Sequence, residues 1–371
     1  MLSLAWSGVL LAGLLWSGWH VAIRTASESA AALLTSRDAT VLAVGFYAAI
    51  LVLLNEVGAL PLAAFNGFVL ERRYGLSAER LSSWLLDQAK AILLTIVIAT
   101  IAASLIYWCV RRSPESWWLP ASVVFAALMV GLAHLAPILL LPLFYDVKRL
   151  ERASLRDRLL ALAGRAGTRV LGVYEWGLAE KTRKANAALT GIGSSRRILV
   201  SDTMLAGYSD EEIEVVLAHE LAHHVHGDVW TALILEAALA VVGFFVAARM
   251  LAAAVAPLGL RGPADIAGLP LLVLVFGGIS LVTLPLGRAL SRAHERRADR
   301  AALDLTGNPA AFVSAMGRLA AQNLAEERPS RLVRWLFLNH PPTDERIAAA
   351  RAFFRRDAGG RPAAGGLQLT R

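Results

Sequence analysis

The sequence predicts a mostly α, polytopic α-helical membrane protein that also carries a smaller α+β domain on the cytoplasmic side. Three observations lead there. Hydrophobic residues make up 56% of the 371-residue chain and charged residues 18%, against roughly 45–50% (glycine included) and about 25% in soluble domains. The apolar residues gather into six runs long enough to cross a bilayer. The 37 lysines and arginines crowd between particular runs. Mean hydropathy is +0.54, which excludes disorder, a collagen-like fibre and a soluble nucleic-acid-binding module. The net charge of +8 is what the inner face of a membrane protein carries, so no nucleic-acid partner is expected. A single cysteine, Cys109, excludes a disulfide framework or a cysteine-based zinc site within one chain.

Hydrocarbon offers a backbone amide no partner, so each long apolar run must cross as a helix, and about 20 residues suffice. The runs are 4–23, 40–70, 90–110, 117–145, 229–257 and 266–287. The first is too long for the apolar core of a signal peptide and has nothing basic before it, so it is expected to stay as a span. Asn55, Glu56, Gly58 and Pro61 predict a kink in the second. Asn55, Glu56, His134 and Glu236 lie inside apolar runs, where polar groups face the bundle interior or water. They read either as helix–helix hydrogen bonds or as the lining of a hydrated cavity.

With six spans and the N-terminus inside, the inner segments 71–90, 146–228 and 288–371 hold 4, 12 and 15 lysines or arginines. The outer loops hold two, two and one. Basic residues stay in the cytoplasm, so this bias orients the chain. The expected organisation is an N-terminal transmembrane region at 1–145 with four spans, a first cytoplasmic part at 146–228, and two transmembrane helices at 229–287. A second cytoplasmic part follows at 288–356, then a Gly-, Ala- and Pro-rich mobile tail at 357–371. Lysine occurs only at Lys90, Lys148, Lys181 and Lys184; such arginine-rich usage suggests a GC-rich bacterium and hence its inner membrane.

Segment 146–228 reads as α+β. A helix over 150–162 should stop near Gly164 and Gly167. Strands are expected at 170–176, 186–192 and 197–201, the last two joined by a hairpin turn at Gly193-Ser194-Ser195. Ser209 and Glu212 form a capping box, opening a helix that runs to about Gly227. This helix carries His219-Glu220-Leu221-Ala222-His223, an HExxH sequence. Its histidines, four apart, stack on one face about 6 Å apart. Ile213, Val216, Leu217, Leu221 and Val225 form a separate apolar stripe. Glu220 lies beside the histidine face, where a carboxylate can take a proton from a zinc-activated water. The plain alternative is a surface helix with scattered histidines.

A zinc site of this kind needs a third protein ligand. His226 shares the face, but seven residues of helix span about 10.5 Å, too far unless the helix breaks. His224 points elsewhere. Glu295 is the best candidate. It and Asp299 are four apart on an expected helix, where two carboxylates repel unless they have separate jobs. Glu295 would bind the metal, and Asp299 would accept a hydrogen bond from a ligand histidine. The alternatives are two solvated carboxylates paired with nearby arginines, or His294 as the ligand. Further on, Asn339-His340-Pro341-Pro342 predicts a rigid turn. His340 and Arg346 there could donate to the oxyanion of a tetrahedral intermediate, or simply mark a loop before a helix.

Together these segments resemble peptidase family M48, integral membrane zinc metalloproteases. The resemblance is closer to the Ste24 branch, the type I CAAX prenyl proteases, than to the HtpX branch. It runs from about Phe65 to Arg351. Phe68-Val69-Leu70-Glu71 with Gly75-Leu76-Ser77 is similar to the family's FVIE-x-x-x-GFN, and Asp87 with Lys90 to its D-x-x-K. Leu141-Pro142-Leu143-Phe144-Tyr145 resembles the PLFN segment. Asn186-Ala187 with Gly191 and the run 197–205 resemble NA-x-x-x-G and KRIVLxDTLL. The resemblance implies a gluzincin-like site with one Zn²⁺ per chain on His219, His223 and Glu295, and Glu220 as catalytic base. Asp299 would orient a ligand, and His340 and Arg346 would stabilise the transition state. Asn186 and Ala187 would hold substrate backbone by strand addition. A water-filled membrane chamber would account for Glu56 and Glu236. Ser77 departs from the family's Asn, Asn186-Ala187-Ala188-Leu189 from its NAYF-like run, and six spans from its usual seven. The expected function is a membrane-embedded zinc metalloendopeptidase acting on membrane-associated or C-terminal peptide substrates, with the bilayer as its other partner. An HtpX-like quality-control protease and a non-enzymatic zinc-stabilised channel or transporter are the alternatives. An intramembrane site-2-type protease fits less well, because the HExxH precedes a span.

Overall fold

The computed structural model describes residues 2–35, 39–191, 193–324, 326 and 329–358. The chain separates into two compact units. One is Met1–Ala136 with Trp230–Thr283; the other is Pro137–Val229 with Leu284–Arg371.

The first unit is helical. Among the described residues, Thr40–Arg73, Leu81–Arg112, Trp118–Phe144, Asp228–Ala254 and Ile266–Thr306 are long and apolar enough to cross a membrane. The first expected span is not one straight helix. Leu2–Ser17 and Trp19–Leu34 meet at 84° around Gly18, whose φ of 77° suits a residue without a Cβ. The second of these helices runs past Ile23, where the apolar run ends, because its polar groups find partners within the unit. Arg24 pairs with Asp265, Glu28 takes two bonds from Arg261 at 2.7 and 2.9 Å, and Tyr47 donates to the His20 carbonyl at 3.2 Å. Pro61 sits inside Thr40–Ala64, and the helix loosens to a π-helical turn over Phe65–Leu70, while Thr40–Arg73 continues as a single span. Tyr47, Tyr107, Trp117 and Phe244 are fully buried, with Phe244 edge-on to Trp117 and Phe276 at 6.1 and 4.6 Å. Large apolar side chains such as Ile234 and Val242 face outward, as lipid contact requires.

The second unit is built on a four-stranded sheet of order β1-β2-β4-β3. Its strands are β1 Val147–Arg149, β2 Val173–Trp176, β3 Ala187–Thr190 and β4 Arg197–Ser201. β2 and β4 are parallel and the outer pairs antiparallel. β4 has the expected bounds and β2 and β3 are shorter than expected. The β3–β4 turn is a short 3-10 helix over Gly193–Ser195. β1 carries only one apolar residue in Val147-Lys148-Arg149, so no alternation signals it; it is an edge strand, where charge is common. Helix Ala153–Arg165 lays Leu155, Leu159 and Leu162 into the core with Ile198, Val200, Ile213, Leu217, Leu221 and Phe312. Val225 is exposed, since the HExxH helix ends there. Leu269–Thr306 is one continuous helix, so the last membrane run does not stop at Gly287 but extends as helix through Glu295 and Asp299. Helix Thr343–Ala358 closes the described chain; of the expected mobile tail, 359–371 lies outside the described residues.

Candidate metal centre

The HExxH helix is Asp210–Val225. Its start is fastened by the expected capping box: the Ser209 hydroxyl accepts from Glu212 N at 3.3 Å, and the Glu212 carboxylate accepts from Ser209 N at 2.8 Å. The buried stripe of Ile213, Val216, Leu217 and Leu221 fixes its rotation and aims the opposite face at the long helix Leu269–Thr306. There His219 and His223 meet Glu295. One ligand atom from each lies within 4.8 Å of the others.

The inner nitrogens converge. His219 Nε2 is 3.2 Å from His223 Nε2 and 3.2 Å from Glu295 Oε2, and His223 Nε2 is 3.4 Å from Glu295 Oε1. The outer nitrogens are taken. His219 Nδ1 lies 2.9 Å from Asp299 Oδ1, and His223 Nδ1 lies 2.7 Å from Asp228 Oδ2. Two imidazoles that donate Nδ1–H to carboxylates present Nε2 lone pairs to each other and to an anionic oxygen. Only a cation or a proton between them relieves that repulsion, so the donor set fits a metal ion.

Each backing carboxylate is itself held. Asp299 receives Arg346 Nε at 2.8 Å and Nη2 at 2.5 Å. Asp228 receives Arg297 and has His294 Nδ1 at 3.8 Å. Asp228 is the residue that sequence reasoning missed. It directly follows Gly227, whose φ of 68° turns the chain back at the end of the HExxH helix. A carboxylate placed straight after that glycine was the available signal.

Glu220 is half-buried and feels the charges of His219, His223, Glu295 and His340. Its burial pushes the carboxyl above its ordinary value, as a proton acceptor working near neutrality needs. Burial opposes a charge on His219, but hydrogen bonds with Asp299 and Glu295 outweigh it and lift the imidazole to about 9.

The remaining expected residues fall as follows. His340 is exposed and places Nδ1 2.6 Å from Glu295 Oε2. Arg346 is brought to the Nδ1 side of His219, with Nε and Nη2 spent on Asp299, rather than to the Nε2 side. His224 reaches the Leu189 carbonyl at 2.9 Å, away from the cluster. His226 caps the helix, and neither it nor His294 belongs to the converging group. Asn186 exchanges bonds with Ser201 at 2.9 Å in both directions. That pairing turns the Asn186 backbone toward β4 and the Ala187 backbone toward the outer edge of β3.

A bundle of long apolar helices joined to a two-histidine, one-carboxylate cluster with an adjacent glutamate defines a multi-pass membrane metalloprotease. Residues 149–353 match the profile of peptidase family M48, and residues 1–146 match that of the CAAX prenyl protease N-terminal region, described as five membrane helices. The chain belongs to peptidase family M48, on its Ste24-like side; it is a multi-pass membrane hydrolase that uses a metal ion and acts on peptide. A relative from Bacillus subtilis, the uncharacterized metalloprotease YhfN, is 32% identical over 305 residues, covering 81% of this chain and 71% of its own. CAAX prenyl protease 1 of Saccharomyces cerevisiae is 27% identical over 165 residues, 44% of this chain and 36% of that one. The crystal structure of S. mikatae Ste24p superposes with a TM-score of 0.80 at 21% identity, over 91% of this chain and 81% of that one, a likeness of fold. Among the described residues of 1–146 there are five long helices, counting the bent pair Leu2–Ser17 and Trp19–Leu34 as two.

Proposed function

We propose that this chain is a zinc metalloendopeptidase that hydrolyses peptide bonds of membrane-associated or C-terminal peptide substrates, with His219, His223 and Glu295 as the ligands of one Zn²⁺. The observation that carries this reading is the convergence of both Nε2 atoms and the Glu295 carboxylate within 4.8 Å, beside Glu220. A bound zinc ion supplies Lewis acidity toward the scissile carbonyl and the attacking water. Glu220 takes the proton of that water and later delivers it to the leaving amine. His340 reaches the cluster through Nδ1, 2.6 Å from Glu295 Oε2, which leaves its Nε2 to donate to the developing oxyanion. Arg346 is better read as a positioning residue than as an oxyanion donor. It fixes Asp299, which holds the His219 ring; Arg297 and Asp228 do the same for His223. Substrate backbone adds to the outer edge of β3 at Ala187, while Asn186, whose backbone groups are spent on Ser201, fixes that edge in place.

We infer a bacterial inner membrane with the site on the cytoplasmic side. The support is the basic bias of segments 71–90, 146–228 and 288–371. That bias stands whether the bent N-terminal pair crosses once or twice. The functional division follows the same segments, with membrane helices at 1–145 and 229–287 and the protease parts at 146–228 and 288–356. The test uses purified full-length protein with and without chelator, offered a C-terminal CAAX-type peptide in one arm and an unfolded membrane protein in the other. Chelator-sensitive cleavage confined to the C-terminal peptide is expected. Cleavage of only the unfolded protein would favour a quality-control role, and cleavage of neither would overturn the reading.

A further inference from the structure

We propose that the surface made by Arg288, Arg292, Arg331 and Arg334 binds the headgroups of anionic phospholipids, with Leu332, Trp335 and Phe337 seated in the bilayer interface beside it. The ligand is a lipid phosphate presented by the membrane that the long helix leaves at this point. This inference does not depend on the catalytic reading.

The position comes from the long helix. Residues 266–287 contain no charged side chain, and Arg288 is the first. At about 1.5 Å per residue, Arg292 lies about 7.5 Å beyond Gly287. A bilayer core of about 30 Å grows to about 40–45 Å with its headgroups, leaving about 5–7.5 Å of headgroup layer on each side. Arg288 therefore falls in that layer and Arg292 at its outer edge. A short helix, Arg331–Leu336, is fastened at the same level. Arg292 Nη1 donates to the carbonyls of Arg334 and Leu338, each at 3.0 Å, and Ser291 donates to the Asn339 carbonyl at 2.9 Å.

The charges on this surface are unbalanced. The like charges acting on Arg292 are Arg296, Arg334 and Arg288, answered by Glu345. Glu345 is already shared between Arg296 at 2.7 Å and Arg334 at 3.3 Å. Among the described residues, Arg288, Arg292 and Arg331 have no carboxylate partner, and Arg288 Nε is buried without a hydrogen bond. Apolar side chains accompany this charge. Leu332 is 62% exposed, Trp335 54% and Phe337 43%. Arginine beside tryptophan and leucine at one level is the chemistry of an interfacial anchor. The fastened strap ends at Asn339, so whatever orders it also orders the neighbouring His340.

The experiment uses the full-length protein in nanodiscs of phosphatidylcholine alone or with phosphatidylglycerol, read by hydrogen exchange of 331–340, and native mass spectrometry of bound lipid. Slowed exchange only in the anionic discs is expected, with phosphatidylglycerol retained over phosphatidylcholine. R288Q/R331Q/R334Q should lower phosphatidylglycerol affinity by about 100-fold, as each basic residue at an anionic surface is worth about fivefold. The lysine counterpart R288K/R331K/R334K should recover most of that loss, which separates charge from misfolding. Equal slowing in both lipids, or unchanged preference in the glutamine variant, would overturn the proposal. So would full displacement by millimolar inorganic phosphate, which would mean a free-anion site. Slowing that grows with protein concentration in lipid-free detergent would mean a second copy instead, and overturn it too.

Discussion

His219 and His223 are held by the same succession of groups, imidazole to aspartate to arginine, in different surroundings. In the inner arm, His219, Asp299 and Arg346 have side chains 7%, 8% and 13% exposed. In the outer arm, His223 and Asp228 are 18% and 7% exposed, but Arg297 is 46% exposed. The inner arm also joins three separate segments: the HExxH helix, the long helix and the last described helix. The outer arm ties the end of the HExxH helix, through the residue just past it, to the long helix. Water can replace Arg297. It cannot easily replace Arg346, because removing one partner of a buried pair strands the other's charge. The same covalent recipe is therefore expected to matter more in the inner arm.

The largest effects set the scale for that comparison, since they strike what the two arms serve. Glu220→Gln should leave zinc at one per chain and lower kcat/KM by about 10²- to 10⁴-fold, the range of general acid–base catalysis. Metal analysis beside peptide hydrolysis checks it, and native-rate cleavage would remove Glu220 from the mechanism. Glu295→Ala should lose the metal itself, because two histidines alone make a poor zinc site. Unchanged metal content in that variant would mean that a histidine such as His226 or His294 completes the site, and both arms would need a new assignment.

Much of the inner arm was legible in the sequence, and little of the outer one. Glu295 and Asp299 repeat at helical spacing and pose the question of why two acids share a face. The HExxH spacing, the capping box at Ser209 and the bounds of β4 are local patterns with local causes. Asp228 has no such pattern. It opens an apolar run, and reads as the edge of a span until Gly227 turns it beside His223. Its pairing with Arg297 is tertiary, across 69 residues. The break at Gly18 was hidden for a related reason: a glycine in an apolar run signals nothing until the neighbours of Arg24 and Glu28 are known. β1 was invisible because one valine cannot show alternation.

Removing the carboxylates tests the comparison directly. Losing an outer-shell partner costs about 10- to 100-fold in metal affinity. Asp299→Ala should fall toward the upper end and Asp228→Ala toward the lower, measured by zinc competition on matched protein. Equal losses would break the argument from burial.

The arginines should give the sharpest contrast, read as stability rather than as metal affinity. Arg346→Gln leaves Asp299 without its counter-charge in a buried place, and should destabilise by about 3 kcal/mol. Arg297→Gln should cost no more than about 1 kcal/mol, as half-exposed ion pairs do. Salt distinguishes the two further. Raising ionic strength to about 1 M shortens the screening length to about 3 Å, which weakens the exposed Arg297 interaction in the parent protein and so shrinks the measured effect of removing it. The Arg346 effect should persist, since its bonds to Asp299 are shielded from the solution. Denaturation of both variants and the parent at low and high salt checks this. An Arg297 effect as large and as salt-insensitive as that of Arg346 would mean that the outer arm is closed to solvent in the working protein, and that the two arms are equivalent.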